Sequence, residues 1–260
     1  MRSFIHSLQC EWLKKRGSLA SWLIWGAAVF VPAILLLIRV THPGKLPELY
    51  AAADFWEKLW TQSWEAMATF FLPMVVILVT ALVAQLEFKN NAWKQLHTTP
   101  QKFVTIFAAK LVVVVVMLIQ LLVLFNLAIY LIGVVPAVIY TSVNYPVEPF
   151  PLRFFLREDV KFFIDCLPMI AFQYAISLRF KNFLVPVGVG FFAWILGIGF
   201  LSWKFSYIFP YAYTSLDHFQ SSRQIVHSAP PASLQTFALS YFVLFTVAGY
   251  LVYVNQKAKG

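Results

Sequence analysis

Five histidines, two cysteines and eleven carboxylates are the side chains of this 260-residue chain that could do chemistry, and their spacing argues against most of it. His6, His42, His97, His218 and His227 form no i, i+4 pair, and neither H-E-x-x-H nor G-x-S-x-G occurs. A zinc-bound water and an activated serine therefore have no support. Gly44-Lys45 is followed by Leu46 and lacks the upstream glycine that a phosphate-cradling loop needs, so the chain carries no ATP site of that kind. Cys10 and Cys166 fall near opposite membrane faces in the topology below, which disfavours both a disulfide and a shared metal. Asp165 is the conspicuous exception, a carboxylate inside an apolar run, where burial is expensive and a functional position is the default reading. It lies about six residues, roughly 9 Å, inside its span. That position favours the plainer reading, a wet outer vestibule or an ion pair with Arg39 or Lys161. With no convergent catalytic groups, an enzyme is not expected.

The elements that would position these residues are membrane spans. The composition is 60% hydrophobic and 12% charged, against roughly 25% charged in an average soluble chain. Apolar runs of about 18 residues or more are long enough to cross a hydrocarbon core of about 30 Å. The expected fold is an all-α polytopic membrane protein forming one domain over residues 1–260. Its six transmembrane helices are expected at about 19–38, 67–86, 104–130, 160–178, 183–202 and 235–254. Phe4, Ile5, Leu8, Trp12 and Leu13 recur at helical spacing ahead of Lys14, Lys15 and Arg16, as in a helix lying in the membrane interface. The stretch from Asp54 to Trp64 reads as a second amphipathic helix, on the outer surface, with its tryptophans at headgroup depth. Residues 140–159, with Pro146, Pro149 and Pro151, read as an irregular outer loop, and 203–234, with Asp217, His218 and Arg223, as a polar outer segment.

The net charge of +9 reflects orientation rather than nucleic-acid binding, because the basic residues flank apolar runs. With both termini placed in the cytoplasm, twelve of the twenty lysines and arginines fall on the inside, beside only Glu11 and Glu87. Lys110, near the inner end of its span, is expected to snorkel to the interface. Gln120, Asn126 and Gln173 read as interhelical hydrogen bonds. Gly190, Ala193 and Gly197 give the fifth span a small face suited to close packing with another helix, of this chain or of a second copy.

Between the second and third spans lies a polar island, Glu87 to Lys110, reading EFKNNAWKQLHTTPQKFVTIFAAK. Phe88, Trp93 and Leu96 supply apolar anchors, Lys89, Lys94 and Gln95 face water, and Thr98, Thr99 and Pro100 form a stop before the next span. The interfacial helix, six spans, inner polar loop and long outer segment together resemble the transmembrane subunits of ABC-2 type transporters. They resemble more loosely the branch that includes bacitracin and lantibiotic immunity permeases. Glu87, Lys89, Asn90, Asn91, Trp93, Leu96, Thr99, Pro100 and Lys110 carry the likeness, which implies an ATPase-coupling site of Glu87, Phe88, Lys89, Asn90, Trp93, Lys94, Leu96, His97, Thr99 and Pro100. It implies that Phe88 to His97 is a coupling helix docking into a separate cytoplasmic ATPase, which binds ATP and magnesium while this chain holds no cofactor. It also implies a second permease subunit, identical or related, packed on the first and fifth spans in a bacterial cytoplasmic membrane. Export of a hydrophobic or amphiphilic compound such as a peptide antibiotic follows from the same likeness. A membrane scaffold or sensor using the same loop for another partner is the alternative.

Overall fold

The computed structural model describes residues 2–88, 102–222 and 232–257. Ten α-helices run in order among them: α1 (Arg2–Lys15), α2 (Leu19–Thr41), α3 (Leu46–Ala51), α4 (Phe55–Ala66), α5 (Leu72–Phe88), α6 (Phe103–Ile139), α7 (Leu152–Arg179), α8 (Leu184–Gly199), α9 (Tyr213–Ser221) and α10 (Leu234–Lys257). A π-helical turn, Met67–Phe71, joins α4 to α5 into one continuous helix. The all-helical expectation holds. Five helical stretches are long and apolar enough to cross a membrane: Leu19–Thr41, Phe55–Leu86, Phe103–Ile139, Leu152–Arg179 and Leu234–Asn255. The apolar helix α8 has 16 residues, about 24 Å of helix.

Prolines inside these helices free backbone carbonyls, and in lipid a freed carbonyl needs a donor from within the protein. Pro73 cannot donate to the carbonyl of Thr69 four residues earlier; Trp194 of α8 does so instead, its Nε1 lying 2.8 Å away. The π-helical turn sits at this weakened place, as such turns commonly do. Pro136 of α6 likewise frees the carbonyl of Ile132, which accepts from Tyr50 Oη at 3.2 Å and Arg39 Nη1 at 3.5 Å. The Arg39 guanidinium also lies over the rings of Phe55 and Tyr50. Arg39 is thus engaged at the C-terminal end of α6 and is not the counter-ion of Asp165.

Three expectations are corrected. Trp56, Trp60 and Trp64, spaced one helical turn apart on α4, are buried to 1% exposure or less. They do not sit among headgroups. Trp64 stacks on Phe162 of α7 at 4.0 Å and meets Phe125 of α6 edge-on, while Trp56 stacks on Tyr130 and donates from Nε1 to the carbonyl of Glu148. Helix α4 is amphipathic, with Glu57, Lys58, Gln62 and Glu65 exposed, but protein covers its apolar face. Gly133 of α6 makes this possible, since a Cβ there would stand 2.3 Å from the Trp56 ring. Second, α7 begins at Leu152 and α6 continues to Ile139, so the irregular outer loop is confined to 140–151. The prolines that suggested a longer loop end at Pro151, and the residues beyond them are distributed around a helix: Phe155, Glu158 and Phe162 point inward, and Arg153 and Arg157 outward. Third, Asp217 and His218 in the polar outer segment are buried, at 5% and 0% exposure.

The helices alternate in direction, so the connections gather at two ends. At one end lie the α1–α2 turn, the close of α5, the α7–α8 turn and the end of α10, where Tyr253 packs on Phe103 and Phe107 at the start of α6. At the other lie α3, the 140–151 loop and α9, which packs on α7 and the π-helical turn.

Candidate functional site

At the first of these ends, α5 carries Glu87 and Phe88 to its last turn, and α6 starts at Phe103 after an extended Lys102. Lys89, Asn90, Trp93, Lys94, Leu96, His97, Thr99 and Pro100 lie outside the described residues. The surroundings of that loop are defined. A cavity of about 740 Å³ opens beside the last turns of α5, bounded by Gly17 and Ser18, by Gln85 and by Lys181 and Phe183. Gln85 Nε2 donates to the carbonyl of Lys181 at 3.0 Å, fixing α5 to the α7–α8 turn. Gly17 has φ 75°, a conformation that favours glycine, and so allows the chain to turn from α1 into α2.

Helix α1 is tied to α6, the helix that leaves the loop. Glu11, 5% exposed, pairs with Lys14 on its own helix and lies 3.7 Å from Lys110 Nζ of α6. Lys15 donates to Gln120 Oε1 at 3.1 Å and lies over the Trp12 ring. Lys110 is 1% exposed, so the expected snorkelling does not occur. A buried ammonium needs a carboxylate close by, and α1 supplies it across 99 residues of sequence.

The small face of α8 is filled by the chain itself. A Cβ on Gly190 would meet Gln173 Oε1 at 2.5 Å and Ile77 at 2.9 Å, and one on Gly197 would meet the backbone of Tyr211 at 2.9 Å. Ala193, half-buried between them, packs on the main core. Gln173 donates to the carbonyl of Pro186 at 2.7 Å and accepts from Tyr211 Oη at 3.2 Å. Asn126 donates to Asp159 at 2.8 Å. Gln120, Asn126 and Gln173 thus each make a bond between elements, as their place in apolar runs suggests.

Asp165 belongs to a buried polar group where α7, α9 and the start of α10 meet. Glu158 and Asp165 are seven residues apart, two turns, and so share a face of α7; Asp217 and Ser221, one turn apart, share a face of α9. The two faces oppose each other. Ser221 Oγ donates to Glu158 at 2.7 Å, Lys161 Nζ donates to the same carboxylate at 2.8 Å, and Gln235 Nε2 donates to Asp217 at 2.7 Å. The carboxyl of Asp165, 0% exposed, lies within hydrogen-bonding reach of that of Asp217 and accepts from no donor among the described residues. Burial pushes the Asp217 carboxyl above the ordinary carboxylate value. Beside it, His218 lies under the Trp60 ring, and burial lowers its pKa to about 4, leaving the imidazole neutral. Reading the sequence placed Asp165 and missed its neighbours; the signal available was the four-residue spacing of Asp217 and Ser221. No three ligating side chains converge to hold a metal among the described residues.

The profile of ABC-2 family transporter proteins matches residues 7–197, from α1 through nearly all of α8. The chain belongs to this family. It is therefore a multi-pass membrane subunit of a transporter, and ABC-2 membership implies association with an ABC ATPase. Comparison with curated proteins and with solved structures gave no match. The ABC-2 match includes the loop between α5 and α6 and reaches Asp165, whereas α9 with Asp217 lies beyond it.

Proposed function

We propose that this ABC-2 subunit couples a separate cytoplasmic ABC ATPase to export of a hydrophobic or amphiphilic compound, such as a peptide antibiotic, across a bacterial cytoplasmic membrane. The observation that carries the proposal is the family match through residues 7–197, which encloses the polar loop bearing Trp93. In this reading both termini and the loop face the cytoplasm, where the basic residues concentrate. Phe88, Trp93 and Leu96 of the loop seat in the ATPase, with Glu87, Lys89, Asn90, Lys94, His97, Thr99 and Pro100 shaping its polar side and its end.

ATP and magnesium are held by the partner, since this sequence offers no phosphate cradle. Closure of two ATPase subunits on ATP pushes the loop and so displaces α5 and α6, its two flanks. Helix α1 follows α6 through the Glu11–Lys110 pair. A second permease, identical or related, packs on the outward faces of α2 and α8. That placement is supported by their exposed apolar side chains, among them Trp22, Trp25 and Phe30 on α2 and Phe191, Phe192 and Ile195 on α8. Lipid covers the remaining apolar surface.

The test is co-purification of the detergent-solubilised chain with a nucleotide-binding subunit. Trp93→Ala is expected to abolish that co-purification and transport while leaving expression unchanged. Recovery of no ATPase by the unaltered chain, together with full activity of the variant, would refute the exporter reading and favour a scaffold or sensor.

A further inference from the structure

The meeting of α7 and α9 sets two buried acids face to face. Asp165 is fully buried and Asp217 is 5% exposed, and their carboxyl groups are within hydrogen-bonding reach. An ionised carboxylate only accepts, so two of them in contact form no bond and repel at low dielectric. Asp165 receives no hydrogen bond from any donor among the described residues. The other groups around the pair do not resolve this conflict. Lys161, on the turn between Glu158 and Asp165, gives its hydrogen bonds to Glu158, and its single charge is shared with both aspartates. Gln235 of α10 donates to Asp217 Oδ2 and lies beside Asp165 as well, but an amide brings no charge to either acid. From α9, Tyr213 donates its hydroxyl to the carbonyl of Tyr207, and His218 is neutral. Tyr241 of α10 lies close to Tyr213, and α4 presents the Trp60 ring. Among the described residues, three buried carboxylates, Glu158, Asp165 and Asp217, thus stand with one lysine.

We propose that Asp165 and Asp217 are a proton-binding site, holding one proton between their carboxyl groups at neutral pH and thereby fastening α9 to α7. The proton comes from solvent and forms an O–H bond on one carboxyl, which donates to the other. Its return to solvent leaves two facing anions whose repulsion releases α9. Ser221 and Glu158 supply a second tie one turn along α9, so loss of the proton loosens α9 at one end. The site is independent of the ATPase partner and is tested on the purified full chain.

The experiment is infrared spectroscopy in detergent across a pH series, reading the carbonyl stretch of a protonated carboxylic acid. The wild-type chain is expected to show such a component at pH 7. Asp165→Asn and Asp217→Asn should each abolish or shift it, because each removes one half of the shared bond. Both variants should remain folded, since an amide N–H can donate where the acid proton did. Glu57→Gln, on the exposed face of α4, should leave the component in place. Absence of any protonated carboxyl at pH 7 would overturn the proposal, whatever cation then balanced the pair. So would a component that is lost in Asp165→Asn yet unshifted in Asp217→Asn, since the proton would then belong to Asp165 alone.

Discussion

Replacing Gly190 by alanine puts a methyl group 2.5 Å from Gln173 Oε1 and 2.9 Å from the Ile77 side chain. Neither neighbour can retreat freely. The Gln173 amide is held from both sides, by the carbonyl of Pro186 and the hydroxyl of Tyr211, and Ile77 is 1% exposed. Overpacking of this kind costs about 1–3 kcal/mol. Pulling Gln173 from one partner costs about 1 kcal/mol more. The higher helix propensity of alanine returns roughly 1 kcal/mol. The expected net loss is about 1–3 kcal/mol, measured by equilibrium unfolding in mixed detergent micelles. Gln173→Ala removes the obstructing oxygen, so the double variant should lose less than the sum of the two single changes, by about 0.5 kcal/mol or more. Additivity of the two substitutions would refute the reasoning. So would a loss that depends on protein concentration, because the Gly190 face would then lie between two chains rather than within one.

Trp194→Phe keeps the packing against Phe70 and Phe191 but removes the donor to the Thr69 carbonyl. A loss of about 1–3 kcal/mol is expected for a buried acceptor left alone, and an unchanged unfolding midpoint would count against that role. The pH dependence of stability should have two limbs. Asp217 is held above its ordinary value of 3.8. Its contribution is therefore full below that value and lost as pH rises through the folded pKa, and Asp217→Asn should flatten this limb. His218, lowered from 6.5 to about 4, acts in the opposite sense: its contribution is full above pH 6.5 and lost as pH falls toward 4. Unfolding midpoints of the wild-type chain and His218→Phe from pH 4 to 7 separate the two, and a parallel pair of curves would contradict the burial of the imidazole.

The helical class and the spans were legible because long apolar runs and a scarcity of charge leave few alternatives. What sequence could not decide was which phase covers an apolar face. The tryptophan spacing on α4 is the same whether the rings meet lipid or Phe125 and Phe162. Charged residues are ambiguous for a related reason. Arg153, Arg157 and Glu158 interrupt hydropathy at the start of α7, yet only Glu158 turns inward, and it does so to meet Ser221 on a distant segment. Lys110 resembled a snorkelling residue because its carboxylate partner is Glu11, 99 residues away in the sequence. Asp165 was visible as a misplaced charge, whereas Asp217 was hidden in a short polar stretch with no apolar run to announce burial.

The second span has one further consequence. Phe55–Leu86 is a continuous helix of 32 residues, about 48 Å long, running from the tryptophans of α4 to the threshold of the polar loop. Its backbone is weakest at the π-helical turn, where Thr69 is gripped by Trp194. That grip divides the helix into a loop-side arm of about 26 Å and a tryptophan-side arm of about 21 Å. Geometrically such a beam is a seesaw: a rigid rotation about Thr69 would carry the tryptophan end about four-fifths as far as the loop end, in the opposite direction.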